Sequence, residues 1–168
     1  MRNPYQKRKT ILKLVENDPG VGFLDIQKET GYGNGVLSHH LKTLENKNLI
    51  RILRAERKMW AFPINSDPSE DGLRIYLRKE TCQKILLLLM RQYTATFSHI
   101  YNEIKKSPST TSITLKMLVE QGLVKRIPGF TVRYCLEDHD RTVDIVSKSK
   151  ISKTDVLKDR FADTFSYL

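Results

Sequence analysis

The spacing of hydrophobic residues predicts a helix within GVLSHHLKTLENKNLI, residues 35–50. Leu37, Leu41 and Leu44 lie four and three positions apart, so a helix places their side chains on one face. Short or polar side chains occupy the positions between these leucines. The segment therefore predicts an amphipathic helix with one face buried in a core and the other exposed.

The same pattern returns 74 residues later, in STTSITLKMLVEQGLV at residues 109–124. Shifting the chain by 74 residues superimposes many identical residue types, and it also aligns Trp60 with Tyr134. This many matches without an insertion predict two copies of one fold. The first-copy residues that meet an identical residue are Ile11, Leu12, Leu14, Phe23, Ile26, Glu29, Ser38, Leu41, Lys42, Leu44 and Leu49.

Each copy is predicted to contain three helices. In the first copy, Asn3 and Pro4 are typical of a helix start. A second helix is expected over about residues 23–30, ending at Gly31 in the left-handed conformation.

The third helix carries equivalent signals in both copies. Gly33 and Ser107 are the expected residues before its first turn. Asn48 and Gly122 are the expected residues just past its end, because both tolerate a positive φ angle.

After the third helix the hydrophobic period changes from 3.6 to 2, which predicts hairpins with turns at 55–57 and 128–130. Three helices and a hairpin make a winged helix-turn-helix. The predicted fold is mainly α with small β-hairpin wings: two winged helix-turn-helix modules in tandem plus a C-terminal helical tail. The expected boundaries are 1–64 for the first module, 65–72 for a linker, 73–138 for the second module and 139–168 for the tail.

The chain of 168 residues has 29 Lys and Arg against 19 Asp and Glu, a net charge of +10. This excess favours polyanionic partners, with nucleic acid ahead of a membrane surface. The longest apolar run, residues 85–90, is too short to span a bilayer, and no secretory signal is visible. Cys82 and Cys135 lack CxxC spacing and are expected to be buried reduced thiols. We therefore expect a soluble, cytoplasmic protein.

The outward face of the third helix has the side chains expected in a major groove. Ser and His can hydrogen-bond to base edges, and Lys suits a phosphate. An ordinary solvated face is the alternative, but the duplication and the hairpins favour DNA. The predicted contacts are Asn34, Val36, Ser38, His39 and Lys42 in the first copy, and Ser109, Thr110, Ser112 and Lys116 in the second, with Ile113 on the same face.

The hairpins add cations that suit phosphates or a minor groove. Basic residues on strand edges also deter aggregation, so some of them have an alternative role. The predicted contacts are Arg51, Arg54, Arg57 and Lys58 in the first wing, and Lys125, Arg126 and Arg133 in the second.

NGVLSHHLKTLENKNLI followed by a basic hairpin resembles winged helix-turn-helix regulators of the ArsR and MarR type. GNGVLSHHLK is more similar still to tandem winged-helix regulators of archaea, and SPSTTSITLKMLVEQGLVKRIPGFTVRYCLED is similar to their second module, so the likeness covers about residues 4–140. The resemblance implies sequence-specific binding of double-stranded DNA and control of transcription, in some relatives by recruiting a basal initiation factor. This chain has Ile113 and Thr114 where the family has an aromatic residue and a His. Whether the second module reads bases, holds phosphates or binds a protein is therefore open.

The C-terminal segment predicts a last helix opened by Ser152 and Asp155. Its apolar stripe would either fold back on the second module or form a homodimer contact. Val143 and Val146 predict a helix before it. The stripe consists of Leu157, Phe161, Phe165 and Leu168.

Other functions find less support in the sequence. His39 and His40 point about 100° apart on a helix, so no metal site is expected, and His40 is expected at the core edge. GYGNG lacks the lysine of a phosphate-binding loop, and residues 137–139 are predicted to be a polar turn. No enzyme activity and no cofactor are expected. The competing hypotheses are a protein-interaction scaffold within the transcription machinery and, more weakly, a single-strand binder.

Overall fold

The structure of the chain, a computed structural model, describes residues 3–55 and 57–150. The chain divides into two compact units, with the boundary between Asp71 and Gly72. Each unit has its own three-stranded sheet and its own hydrophobic core.

The first unit contains three helices and an antiparallel sheet in the order β1-β3-β2. In this sheet Val21 pairs with Ala61, and Ile50 pairs with Pro63. A 3-10 turn, Pro68–Glu70, lies within the segment predicted as a linker. The elements are α1 (Pro4–Asn17), β1 (Val21–Gly22), α2 (Phe23–Thr30), α3 (Asn34–Asn46), β2 (Ile50–Ala55) and β3 (Lys58–Pro63).

The helix ends of the first unit lie where the capping residues predict them. Asn3 Oδ1 accepts a hydrogen bond of 3.1 Å from the backbone N of Tyr5, and Pro4 is the first helical residue. α2 ends at Gly31, whose φ is 68°. Both predicted boundaries are confirmed.

The core of the first unit lies between α1, α2, α3 and the sheet. The leucines of α3 are at its centre and are almost inaccessible to solvent. The buried cluster consists of Ile11, Val15, Val21, Ile26, Tyr32, Leu37, Leu41, Leu44, Ile50 and Ala61.

The second unit repeats this arrangement and adds a helix at each end. Its sheet has the order β4-β6-β5. The first added helix, α4, was not predicted, and its residues Leu73 and Tyr76 join the core together with Leu77 of the turn that follows it. The elements are α4 (Asp71–Tyr76), α5 (Glu80–Gln92), β4 (Ala95–Thr96), α6 (Phe97–Ile104), α7 (Pro108–Glu120), β5 (Val124–Ile127), β6 (Arg133–Leu136) and α8 (His139–Lys148).

The bounds of β1, α2 and α3 recur 74 residues later in β4, α6 and α7. Asn48 has φ 52° and Gly122 has φ 66°, so both adopt the left-handed conformation predicted past the third helix. The two-residue strands β1 and β4 were not predicted, because two residues give no readable alternation. The 74-residue offset therefore holds for the bounds of β1, α2 and α3, and for the first residue of β2 and β5.

The alignment of Trp60 with Tyr134 is wrong by one residue. Ala61 pairs with both Val21 and Ile52, and Tyr134 pairs with both Ala95 and Arg126, so Tyr134 is equivalent to Ala61. Eight residues separate the paired residues Ile52 and Ala61 in the first hairpin, and seven separate Arg126 and Tyr134 in the second, which changes the offset from 74 to 73 within the wing.

The described residues also include the helix predicted before the C-terminal segment. α8 begins at its N-cap Asp138, whose side chain accepts a hydrogen bond from the backbone N of Arg141, so residues 137–139 are a helix start and not merely a polar turn. Val146 is buried, whereas Val143 is exposed. The predicted Ser152 and Asp155 cap, and the apolar stripe of Leu157, Phe161, Phe165 and Leu168, lie outside the described residues.

The two cysteines differ in burial. Cys82 is in the second core, as predicted, but Cys135 on β6 is only partly buried. The strand alternation turns Cys135 away from the position of its buried neighbour Leu136.

His40 lies on the buried side of α3 and is only 5% exposed, which confirms its predicted position at the core. Its Nδ1 has no hydrogen-bond partner among the described residues. Burial is the main cause that lowers the pKa of His40 below the ordinary histidine value, and neighbouring basic side chains lower it further: His39, Arg8 and Lys7. The fold therefore favours the neutral imidazole.

We expect Gly122→Ala to lower the free energy of unfolding of the second unit by about 1–2 kcal/mol, because a Cβ in the left-handed region is strained. No atom lies within 4 Å of the added Cβ, so backbone conformation is the only cause. Gly122→Asn is the matched control and should cost less, since Asn48 adopts this conformation in the first unit. Urea denaturation followed by circular dichroism measures both, and an equal or larger loss for Gly122→Asn contradicts the explanation.

We expect the first unit to lose stability as the pH falls below about 6.5, the pKa of an unfolded histidine. Between that pH and the lower folded pKa of His40, the unfolded chain binds more protons than the folded one, so stability rises with pH. His40→Gln should flatten this dependence, whereas His39→Gln should retain most of it, because burial is the largest cause of the lowered pKa of His40. Trp60 is the single tryptophan of the chain and lies in this unit, so its fluorescence during urea denaturation provides the measurement. A pH dependence that is unchanged in His40→Gln contradicts the assignment.

Candidate nucleic-acid interface

The outward face of α3 is a continuous exposed surface. Val36, Ser38, His39 and Lys42 are exposed along it, while the leucines opposite are buried. Lys42 forms no ion pair with a described residue. We call this surface the α3 face.

The outward face of α7 matches it position by position. Residues 110, 112, 113 and 116 are exposed, as are their equivalents 74 residues earlier. Thr111 replaces Leu37 at a buried position, and its hydroxyl donates to the backbone O of Ser107 at 3.0 Å. Ile113 is 71% exposed where the first unit has His39. This second surface is the α7 face.

The N-terminal ends of the two helices differ in their polar groups. Asn34 Oδ1 accepts a hydrogen bond from Gln27 Nε2, which links α3 to α2. Ser107 Oγ accepts a hydrogen bond of 3.2 Å from the backbone N of Thr110 and lies 3.1 Å from Ser109 Oγ. A helix N-terminus with hydroxyl groups around it favours an anion such as a phosphate.

Arg51 is held inside the first unit. Its guanidinium donates to both carboxylate oxygens of Asp71, at 2.7 and 3.1 Å, and to Ser66 Oγ at 3.0 Å. It also lies 5.4 Å from the centre of the Phe62 ring, and the hydrogen bonds to Asp71 raise its pKa. Arg51 therefore connects β2 to the segment after β3. Its guanidinium is engaged within the unit and not in the DNA contact predicted for it.

Arg54 joins the wing to α3. It donates to the two carboxylate oxygens of Glu45 at 3.0 and 2.9 Å. This hydrogen bonding lowers the pKa of Glu45 and raises that of Arg54. The bidentate pair fixes the guanidinium beside the α3 face and neutralises part of its charge.

The tip of the first wing carries exposed cations. Arg57 is in the turn with φ 61°, and Lys58 is the first residue of β3. Both are exposed on the same hairpin as Arg54.

The cations of the second unit have different partners. Lys125 pairs with Glu137 at 2.9 Å, Lys116 lies 3.9 Å from Glu120, and Arg133 donates to Thr94 Oγ1 at 3.3 Å. Arg126 is exposed and forms no ion pair with a described residue. In each unit, therefore, the helix with the exposed face is followed directly by the basic hairpin.

Sequence reasoning missed the tethering of Arg51 and Arg54, because Asp71 and Glu45 are distant from them in the chain. It also missed the exposure of Phe130 in the second hairpin, which was assigned only to a turn. The sequence could have predicted this exposure, because an aromatic side chain in a turn does not lie on a strand face that packs against the core.

No helix in residues 3–55 and 57–150 is both long and apolar enough to cross a bilayer. Nor do three His, Cys, Asp or Glu side chains of that part of the chain come together as a metal site.

Residues 80–126, from α5 into β5, match the model of the bacterial regulatory proteins of the arsR family. An uncharacterized HTH-type transcriptional regulator of Methanocaldococcus jannaschii is 26% identical over 118 residues. The alignment covers 70% of this chain and 30% of the relative, so the chain spans about a third of that protein's length.

Among solved structures, a conserved hypothetical protein from Chlorobium tepidum is similar at 16% identity and a TM-score of 0.30, over 86% of this chain and 97% of that one. Residues 80–126 are therefore similar to an ArsR-type helix-turn-helix domain, and the archaeal relative is described as a transcriptional regulator.

Proposed function

We propose that the protein is a sequence-specific, double-stranded DNA-binding transcriptional regulator. α3 and α7 enter major grooves, and the hairpins lie on phosphates or in minor grooves. The observation that carries this proposal is the position-by-position match between the α3 and α7 faces, each followed by a basic hairpin.

Phosphate contacts supply most of the affinity. Arg51 is left out of this set because Asp71 and Ser66 hold it. Arg54 contributes an oriented guanidinium with Glu45 as its counter-ion. The remaining contacts come from exposed cations on the helix faces and wings: Lys42, Arg57, Lys58, Lys116, Lys125, Arg126 and Arg133.

Base selection differs between the two units. His39 offers a hydrogen-bond donor and an acceptor, which suits the polar edge of a base. Ile113 offers neither, and in a major groove an apolar side chain contacts the methyl group of thymine. The two units therefore select different bases at equivalent positions, with Ser38 and Ser112 as adaptable neighbours.

Three finer statements stay predictions. The resemblance to archaeal regulators is the basis for activation through a basal initiation factor. The homodimer contact of Leu157, Phe161, Phe165 and Leu168 concerns residues outside the described part. A cytoplasmic location agrees with a DNA-binding role.

A salt titration tests the proposal against the protein-interaction scaffold. The logarithm of the affinity for duplex DNA should fall linearly with that of salt concentration, by about 0.9 for each phosphate contacted. Lys42→Ala should reduce this slope by about 1 and weaken binding to all sequences alike. Lys13→Ala removes the same charge from the exposed side of α1 and is the control. Equal effects of the two variants, or no binding to duplex DNA, contradict the proposal.

Replacing thymine by uracil in a bound duplex tests the role of Ile113. Loss of one contacted methyl group should weaken binding about fourfold, from ~0.8 kcal/mol per buried carbon. Ile113→Ala should bind both duplexes equally. His39→Ala should still bind the thymine duplex more tightly, and its base preference should change only at the positions contacted by α3. Competition binding measures the ratio of the affinities for the thymine and uracil duplexes. Persistent discrimination against uracil in Ile113→Ala contradicts the role.

A further inference from the structure

Phe130 lies at the tip of the second wing with its ring entirely in solvent. β5 ends at Ile127 and β6 begins at Arg133, so Phe130 lies in the middle of the connecting turn. Its relative exposure is 111%, and that of Ile127 is 38%. An aromatic ring that its own fold leaves bare gains free energy when a partner covers it.

The first wing has no counterpart to this ring. The strands of the first wing end at the pair Ala55–Lys58, and the exposed cations Arg57 and Lys58 lie there. The bounds of β1, α2 and α3 recur in β4, α6 and α7, so the aromatic tip belongs to the part of the second unit where the two copies differ in structure.

The stem beneath Phe130 is basic. The thirteen residues from Val124 to Leu136 include three cations and no acidic residue. Arg126 and Arg133 are exposed close to the tip, one on each strand. An exposed apolar ring at the end of a basic hairpin fits a partner that has negatively charged groups on its surface and apolar groups between them.

We propose that Phe130 is a minor-groove wedge. The arginines of the hairpin hold the phosphates on either side, and the ring enters between two stacked base pairs and partly separates them. Such a wedge bends the duplex, and flexible pyrimidine–purine steps lower the cost of the bend. This inference rests on the proposed function and adds to it a second, shape-dependent source of sequence preference, located in the second unit.

The test uses the full chain and duplexes selected from a random pool by the wild-type protein. A 2-aminopurine placed step by step along the duplex reports unstacking through increased fluorescence, and end-to-end energy transfer reports the bend. The wild type should give a fluorescence increase at one step and a bent duplex.

Phe130→Ala should abolish both signals and weaken binding about tenfold, within the range for base–aromatic stacking. Phe130→Leu retains an apolar wedge and should keep most of the bend. Thr131→Ala, exposed in the same turn, should change neither signal. Arg126→Ala should reduce the salt dependence while the unstacked step stays the same.

Two outcomes overturn the wedge. In the first, Phe130→Ala bends and unstacks the duplex as the wild type does. In the second, it binds DNA normally but no longer binds phosphatidylserine vesicles that retain the wild type, which assigns the ring to a lipid surface. Failure of the wild type to bind any duplex is a different result, because it removes the proposed function together with the wedge.

Discussion

Burial of the leucines beneath α3 is the interaction on which the candidate interface depends. Each buried leucine contributes about 1.5–3 kcal/mol, and the helical repeat fixes the angle between these side chains and their neighbours. Once Leu37, Leu41 and Leu44 are inside, Ser38 and His39 have to be outside. In α7 the same constraint holds with a threonine at one position, because its hydroxyl is satisfied by the backbone of its own helix. Core packing and surface presentation are therefore two consequences of one helix orientation.

Charge is distributed differently in the two units although their backbones are similar. In the first, two arginines of β2 are tethered, Arg51 to Asp71 and Arg54 to Glu45. The Arg54 pair connects the wing to α3 and so restricts the guanidinium to one side of the helix face. In the second unit Lys125 pairs with Glu137, and both side chains are about half exposed. Solvent-exposed pairs of this kind contribute little to stability and are readily exchanged for a phosphate.

The copies have diverged most where the fold constrains them least. From β1 to α3 every boundary recurs with one offset, because helix packing and capping leave no room for an insertion. The end of the hairpin is free of such packing, and there the second copy has one residue fewer between its equivalent strand pairs and carries Phe130. The exchange of His39 for Ile113 is likewise on an exposed face. Differences in recognition can accumulate at these positions without cost to either core.

The sequence by itself determined the elements whose signals are local. Helix ends followed from Asn3, Gly31 and the paired positions of Asn48 and Gly122, because capping and positive φ depend on a few adjacent residues. The exposed helix faces followed from periodicity. Only the tertiary structure decided which cations are available, since Arg51 and Arg54 meet carboxylates through chain folding. Pairing across strands likewise decided the register of the second wing, and the two-residue strands exist only because a neighbouring strand pairs with them.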